Sequence, residues 1–162
     1  MRESYDFGRS GLVRRTDSRR REVPDESEEL RPRPRPVILL AEDDAAMRSL
    51  LASQLRRDGY RVIACPDGME LVHRIGVYRT RHMPVGVDLV ISDVRMPLIS
   101  GLQLLELMND PPLGIPVILI SAFGDFETRG AASTRSAAAF FSKPFDIEEL
   151  RAAVRANLGH VT

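Results

Sequence analysis

The chain is short of several residue types, and each shortage narrows what it can be. Cys65 is the only cysteine, which excludes an internal disulfide and any cysteine-based metal cluster. Its place at the end of an apolar run makes it a core filler. Tryptophan is absent, and aromatic residues make up 6% of the chain, so no broad aromatic stacking surface is expected. No run of about 18 apolar residues occurs, and the N-terminal MRESYDFGRSGLVRR has no apolar signal-peptide core. Arg19-Arg20-Arg21 precedes no apolar run either, so a twin-arginine export signal is missing. The expectation is a cytoplasmic protein with no membrane insertion. Lysine is the most informative scarcity: against 22 arginines there is one lysine, Lys143.

What is present suits one globular domain with an added segment: 162 residues, 43% hydrophobic, with a formal net charge of zero. Residues 1–36 hold ten arginines against eight acids, leaving 13 basic and 15 acidic residues for 37–162. The stretch RRTDSRRREVPDESEELRPRPRP has no hydrophobic periodicity and cannot bury enough apolar area to order itself. Residues 1–36 are therefore expected to form a disordered arm, with the Arg-Pro repeat at 31–36 extended as polyproline II. Its mixed charge argues for a solvated tail over direct nucleic-acid binding. The folded domain is expected over 37–158, followed by a short tail at 159–162.

From Val37 onward, short apolar runs alternate with helical patterns, the signature of a parallel sheet with crossover helices. Strands are expected at 37–41, 61–65, 87–92, 116–121 and 138–142. Met47, Leu50, Leu51 and Leu55 recur at helical spacing up to Gly59, which suits a left-handed helix C-terminus. Met69, Val72 and Ile75 mark a second helix, and Leu102, Leu105 and Met108 a third. The fourth, about 125–136, is alanine-rich. The fifth carries Ile147, Leu150, Val154 and Leu158 on one face, behind an Asp146/Glu149 capping-box pattern. The architecture is (βα)5, α/β with a doubly wound five-stranded parallel sheet.

In such a sheet the functional crevice lies beyond the carboxyl ends of the strands. After the first strand come Glu42 and Asp43, after the third Asp93, after the fourth Ser121, and after the fifth Lys143. Two unit charges about 4 Å apart repel by roughly 4 kcal/mol at an effective dielectric of 20, so acids clustered at the end of a buried strand need a reason, which either a helix N-terminus or a cation supplies. Asp44 reads as a helix N-cap. Three acids, a hydroxyl and an ammonium make up a set suited to a divalent cation beside a phosphoryl group. In a chain that otherwise writes arginine, a compact ammonium at position 143 fits a tight contact that a planar guanidinium would not make.

ILLAEDDAAMR, DLVISDVRMPLISGLQLL, PVILISAFG and FFSKPFDIEEL, in this order, resemble the receiver domain of two-component response regulators, over about residues 37–158. That resemblance implies a flavodoxin-like receiver fold. It also implies a signalling role rather than an enzyme, with Asp93 as phosphoacceptor and Mg²⁺ held by Glu42, Asp43, Asp93 and the backbone carbonyl of Arg95. Ser121 would be the switch hydroxyl, Lys143 the ion-pair partner of the phosphoryl group, Phe140 the switch aromatic, and Pro144 would follow a cis peptide bond. The implied partners are a sensor histidine kinase or a histidine phosphotransfer protein, a separate output protein, and a second copy of the chain on phosphorylation. Because the chain ends about four residues after the fifth helix, a stand-alone receiver is expected. Arg95 and Phe123 would flank the path of water to the phosphoryl group and slow its self-hydrolysis. Two readings stay open beside this one. A Mg²⁺-dependent aspartyl phosphatase would need an acid two residues after its nucleophile, where Arg95 stands. A degenerate receiver would bind partners without phosphorylation. His73, His82 and His160 show no metal-site spacing.

Overall fold

VILLA, the run Val37–Ala41, is apolar at every position and fully buried along its length, as a central strand of a parallel sheet covered on both faces must be. In the computed structural model, which describes residues 35–80, 86–110, 113–122, 130–133 and 135–159, this strand (β1) lies between β2 (Arg61–Cys65) and β3 (Leu89–Asp93). β4 (Val117–Ser121) and β5 (Ala139–Ser142) complete one sheet of order β2-β1-β3-β4-β5. Every pairing is parallel. The expected (βα)5 sheet is therefore the one found. Residues 1–34 of the expected arm, Phe123, residues 125–129 and 134 of the helix expected over 125–136, and residues 160–162 lie outside the described residues.

Side chains alternate along a strand, so the sheet has two cores. Leu39, Ala41, Val90 and Leu119 pack with α2 (Gly68–Thr80) and α3 (Gly101–Asn109) through Leu71, Leu104, Leu105 and Met108. Ile38, Leu40, Ile91 and Ile120 pack instead with α1 (Ala45–Arg57) and α4 (Ile147–Leu158) through Leu51, Leu55, Leu150 and Val154. Each fully buried leucine contributes roughly 1.5–3 kcal/mol of apolar transfer.

Local chemistry sets the boundaries. β3 starts at Leu89, later than the apolar run alone predicts, because Asp88 spends its carboxylate on the Val37 N–H, 2.7 Å away. β4 starts at Val117 because Pro116 has no N–H to give the ladder; its carbonyl accepts from Val90 at 3.0 Å. α1 begins at Asp44, whose carboxylate accepts the Met47 N–H at 2.7 Å. It ends as expected at Gly59, φ 94°, where the N–H groups of Gly59 and Tyr60 return to the carbonyls of Arg56 and Leu55. The reciprocal capping box falls on Ser100 and Gln103 at the start of α3. Asp146 caps α4 through the Glu148 N–H at 2.8 Å, one residue short of the box expected with Glu149.

Candidate metal centre

The parallel register carries distant residues to one edge. Ala41 pairs with Ser92, so Glu42 and Asp93 sit side by side one step beyond that rung. Ser121 pairs with Ser142, and the next residue, Lys143, is tied to the Ser121 carbonyl by its own N–H at 2.7 Å. Four strand ends thus converge. Glu42 and Asp93 are 1% and 6% exposed, and only Asp43 of the three acids faces solvent. Ligand oxygens of Glu42, Asp43 and Asp93 lie within 4.8 Å of one another.

Lys143 bridges the two buried acids. Its Nζ donates to both Glu42 oxygens at 3.0 and 2.9 Å and to Asp93 Oδ2 at 2.5 Å. The other Asp93 oxygen accepts the Arg95 backbone N–H at 2.7 Å, and Glu42 Oε1 also accepts the Asp44 N–H at 3.3 Å. Burial pushes the Glu42 carboxyl above its usual range; the bond from Lys143 works against this and the neighbouring charge of Asp93 works with it. Burial alone would lower the Lys143 ammonium, but its bonds to Asp93 and Glu42 outweigh that and hold it above its ordinary value. One ammonium against three carboxylates leaves the cluster electron-rich, and its donors are all oxygen. That is the environment of a hard divalent cation such as Mg²⁺, which binds through one or two carboxylates and keeps several waters.

Glu42, Asp43, Asp93 and Lys143 are thus brought together as the sequence predicted. Ser121 is fully buried at the end of β4, and the Lys143–Pro144 peptide is cis. Phe140 is half-buried against the Leu39-side core, while Phe141 packs on the opposite face with Phe145, ring centroids 5.9 Å apart. Cys65 is buried, its thiol pushed up to about 11 by desolvation, consistent with a filler.

Two contributors went unnoticed in the sequence. A Cβ at Gly101 would stand 2.5 Å from the Asp93 carbonyl, so only glycine lets α3 start directly against the end of β3. Arg48, in α1, places Nη1 2.6 Å from the Glu42 carbonyl and 3.2 Å from that of Asp43. The signal for Arg48 was its position, since a cation in the first turn of a helix opposes the macrodipole.

Comparison with known proteins gives the same picture. The family model described as the response regulator receiver domain matches residues 38–155. Sporulation initiation phosphotransferase F of Bacillus subtilis is 30% identical over 118 residues, covering 73% of this chain and 90% of that protein. The transcriptional activator protein PfeR of Pseudomonas aeruginosa is 37% identical over 128 residues, 79% of this chain but 39% of its own length, so the chain spans well under half of that relative. A putative response regulator from Chloroflexus aurantiacus, 28% identical, superposes with a TM-score of 0.66 over 78% of this chain and 100% of that one. The matched segment contains all four residues that meet at the sheet edge, and on these grounds the chain belongs to the receiver domain family of two-component response regulators.

Proposed function

We propose that this chain is a phosphorylation switch: Asp93 accepts a phosphoryl group from the phosphohistidine of a sensor kinase or histidine phosphotransfer protein. The observation that carries the proposal is the bridge from Lys143 to Glu42 and Asp93 beside an exposed Asp43. Asp93 is the nucleophile, and one of its oxygens forms the bond to phosphorus as the donor's phosphorus–nitrogen bond breaks. Glu42, Asp43, Asp93 and the Arg95 backbone carbonyl would hold Mg²⁺, which would supply positive charge for the phosphoryl oxygens. Lys143 neutralises a further oxygen, exchanging its contact with Asp93 Oδ2 for one with the phosphoryl group. The product carries about −1.5 to −2 charges where a carboxylate stood, and the Ser121 hydroxyl and Lys143 bind it differently from the bare acid. Phe140 then repacks by burial alone, since it lacks a hydroxyl.

As a receiver the chain is a signalling module. It acts through a separate output protein or a second copy of itself, and loses phosphate by slow self-hydrolysis. Relatives of similar and of greater length match it: the chain covers 90% of the Bacillus phosphotransferase and 39% of PfeR. Cytoplasmic placement accords with the described residues, in which no helix is long and apolar enough to cross a membrane. The test is incubation with acetyl phosphate, with and without EDTA. A phosphate-sized mass gain is expected in Mg²⁺, absent in EDTA and absent in Asp93→Asn. No gain with any small-molecule donor would turn the reading to a binding module that works without phosphorylation.

A further inference from the structure

We propose that Arg48 is a positioning residue for the metal centre, locking the backbone on both sides of Asp43 so that its carboxylate is aimed at the ion. The inference rests on the receiver reading above. A single nitrogen, Nη1, donates to two successive carbonyls, those of Glu42 and Asp43. Those carbonyls belong to the peptide planes that flank Asp43, so holding both fixes the φ and ψ between them and with these the direction of the Asp43 Cα–Cβ bond. Glu42 needs no such help, because Lys143 and the Asp44 N–H already hold its carboxylate. Asp43 differs: it is exposed, and among the described residues no hydrogen bond fixes its carboxylate. Its aim therefore depends on the backbone, and the backbone depends on Arg48.

The placement is electrostatically adverse, which makes a purely stabilising role a poor account of it. Arg48 lies one turn into α1, where the helix dipole disfavours a cation. Its positive charge also opposes a second cation arriving at Glu42, Asp43 and Asp93. Through-space charge and backbone positioning thus predict opposite signs for the same substitution. Removing the guanidinium should tighten Mg²⁺ binding if Arg48 acts only as a charge, and weaken it if Arg48 sets the loop.

The experiment uses the full chain, MgCl₂ alone as ligand, and isothermal calorimetry with thermal melts in EDTA. Arg48→Met keeps an apolar stem and loses the donors; it should bind Mg²⁺ about tenfold more weakly, the low end for loss of an outer-shell partner. Arg48→Lys, whose ammonium can still donate to a carbonyl, should stay closer to the parent. Asp43→Ala should abolish the difference, so that Arg48→Met adds no further loss in that background. Unchanged or tighter Mg²⁺ binding by Arg48→Met would overturn the proposal, and so would a lower melting midpoint in EDTA with parental affinity, which marks a structural role only. Absence of Mg²⁺ binding by the parent would overturn the metal-centre reading itself and this inference with it.

Discussion

Among the described residues, two ion-paired clusters each have one cation bridging two carboxylates, and they behave in opposite ways. At the site, Lys143 joins Glu42 and Asp93; elsewhere, Arg151 of α4 joins Asp58 at the end of α1 and its own neighbour Glu148. Arg151 meets Asp58 through a two-pronged contact, one prong at 2.7 Å, with its side chain 23% exposed, and Glu148 is 60% exposed. There the bond from Arg151 holds the Asp58 carboxyl below its usual range. At the site the acids are almost wholly buried, and Glu42 rises despite two bonds from an ammonium. Counting partners does not distinguish the clusters; water does. Asp58, half-buried, is completed by its arginine fork, whereas Glu42, 1% exposed and beside Asp93, is left wanting more positive charge.

The largest effect separating the clusters should come from removing each cation. Lys143→Ala leaves two buried carboxylates unpaired and should destabilise the metal-free protein by about 3 kcal/mol, the low end for broken buried pairs because Nζ keeps some contact with solvent. Millimolar Mg²⁺ should restore part of that loss in a denaturant titration. Arg151→Ala should cost less, and no Mg²⁺ rescue is expected. Equal losses with equal rescue would dissolve the distinction. Next in size is the ion itself: melting midpoints of the parent should rise with millimolar Mg²⁺, since an ion held by this cluster would stabilise only the folded state. Asp43→Ala should flatten that response, and an undiminished rise would remove Asp43 from the site.

Smaller, and diagnostic by sign, are the pH slopes in EDTA. Glu42 ordinarily titrates near 4.5 and is raised in the fold, so its ionised form costs stability. That cost is absent below 4.5, grows as pH rises toward the raised folded value, and then stays constant. Glu42→Gln should therefore gain on the parent as pH rises above 4.5 toward neutrality. Asp58 ordinarily titrates near 3.8 and is lowered, so its contribution is present above 3.8 and is lost as pH falls through the folded value. Asp58→Asn should lose ground to the parent above 3.8 and draw level with it in stronger acid. Slopes of the same sign would show that burial does not distinguish the two clusters.

The site was legible because its parts are strand ends. An apolar run that stops at Glu42, Asp93, Ser121 or Lys143 announces both the strand and the edge it reaches, and one lysine among 22 arginines marks itself. The capping of α1 by Asp44 and its termination at Gly59 were visible for the same local reason. What stayed hidden depends on contacts between elements. Asp88 reads as a strand residue until its carboxylate is seen on Val37, and Gly101 reads as a turn residue until the Asp93 carbonyl is seen against it. The capping pattern misled in one place: Asp146 and Glu149 have the spacing, but the reciprocal pair formed at Ser100 and Gln103, where the sequence reading had only a third helix.

The order of strands in the sheet has a consequence for when the protein becomes competent. Asp93 sits on a central strand made midway through synthesis, while the ammonium that balances it is delivered by the last strand, after β5 has paired with β4. A nascent chain that has emerged only as far as β4 carries Asp93 and its two acidic neighbours without the ammonium that bridges Glu42 and Asp93. During translation the repulsion among these acids therefore opposes premature closure of the sheet edge, and arrival of residue 143 seals it. On the function proposed above, phosphate acceptance and completion of the fold are expected to coincide in time. Ribosome-bound chains stalled before Lys143 clears the exit tunnel should go unlabelled by acetyl phosphate, and chains stalled after the whole domain has emerged should be labelled.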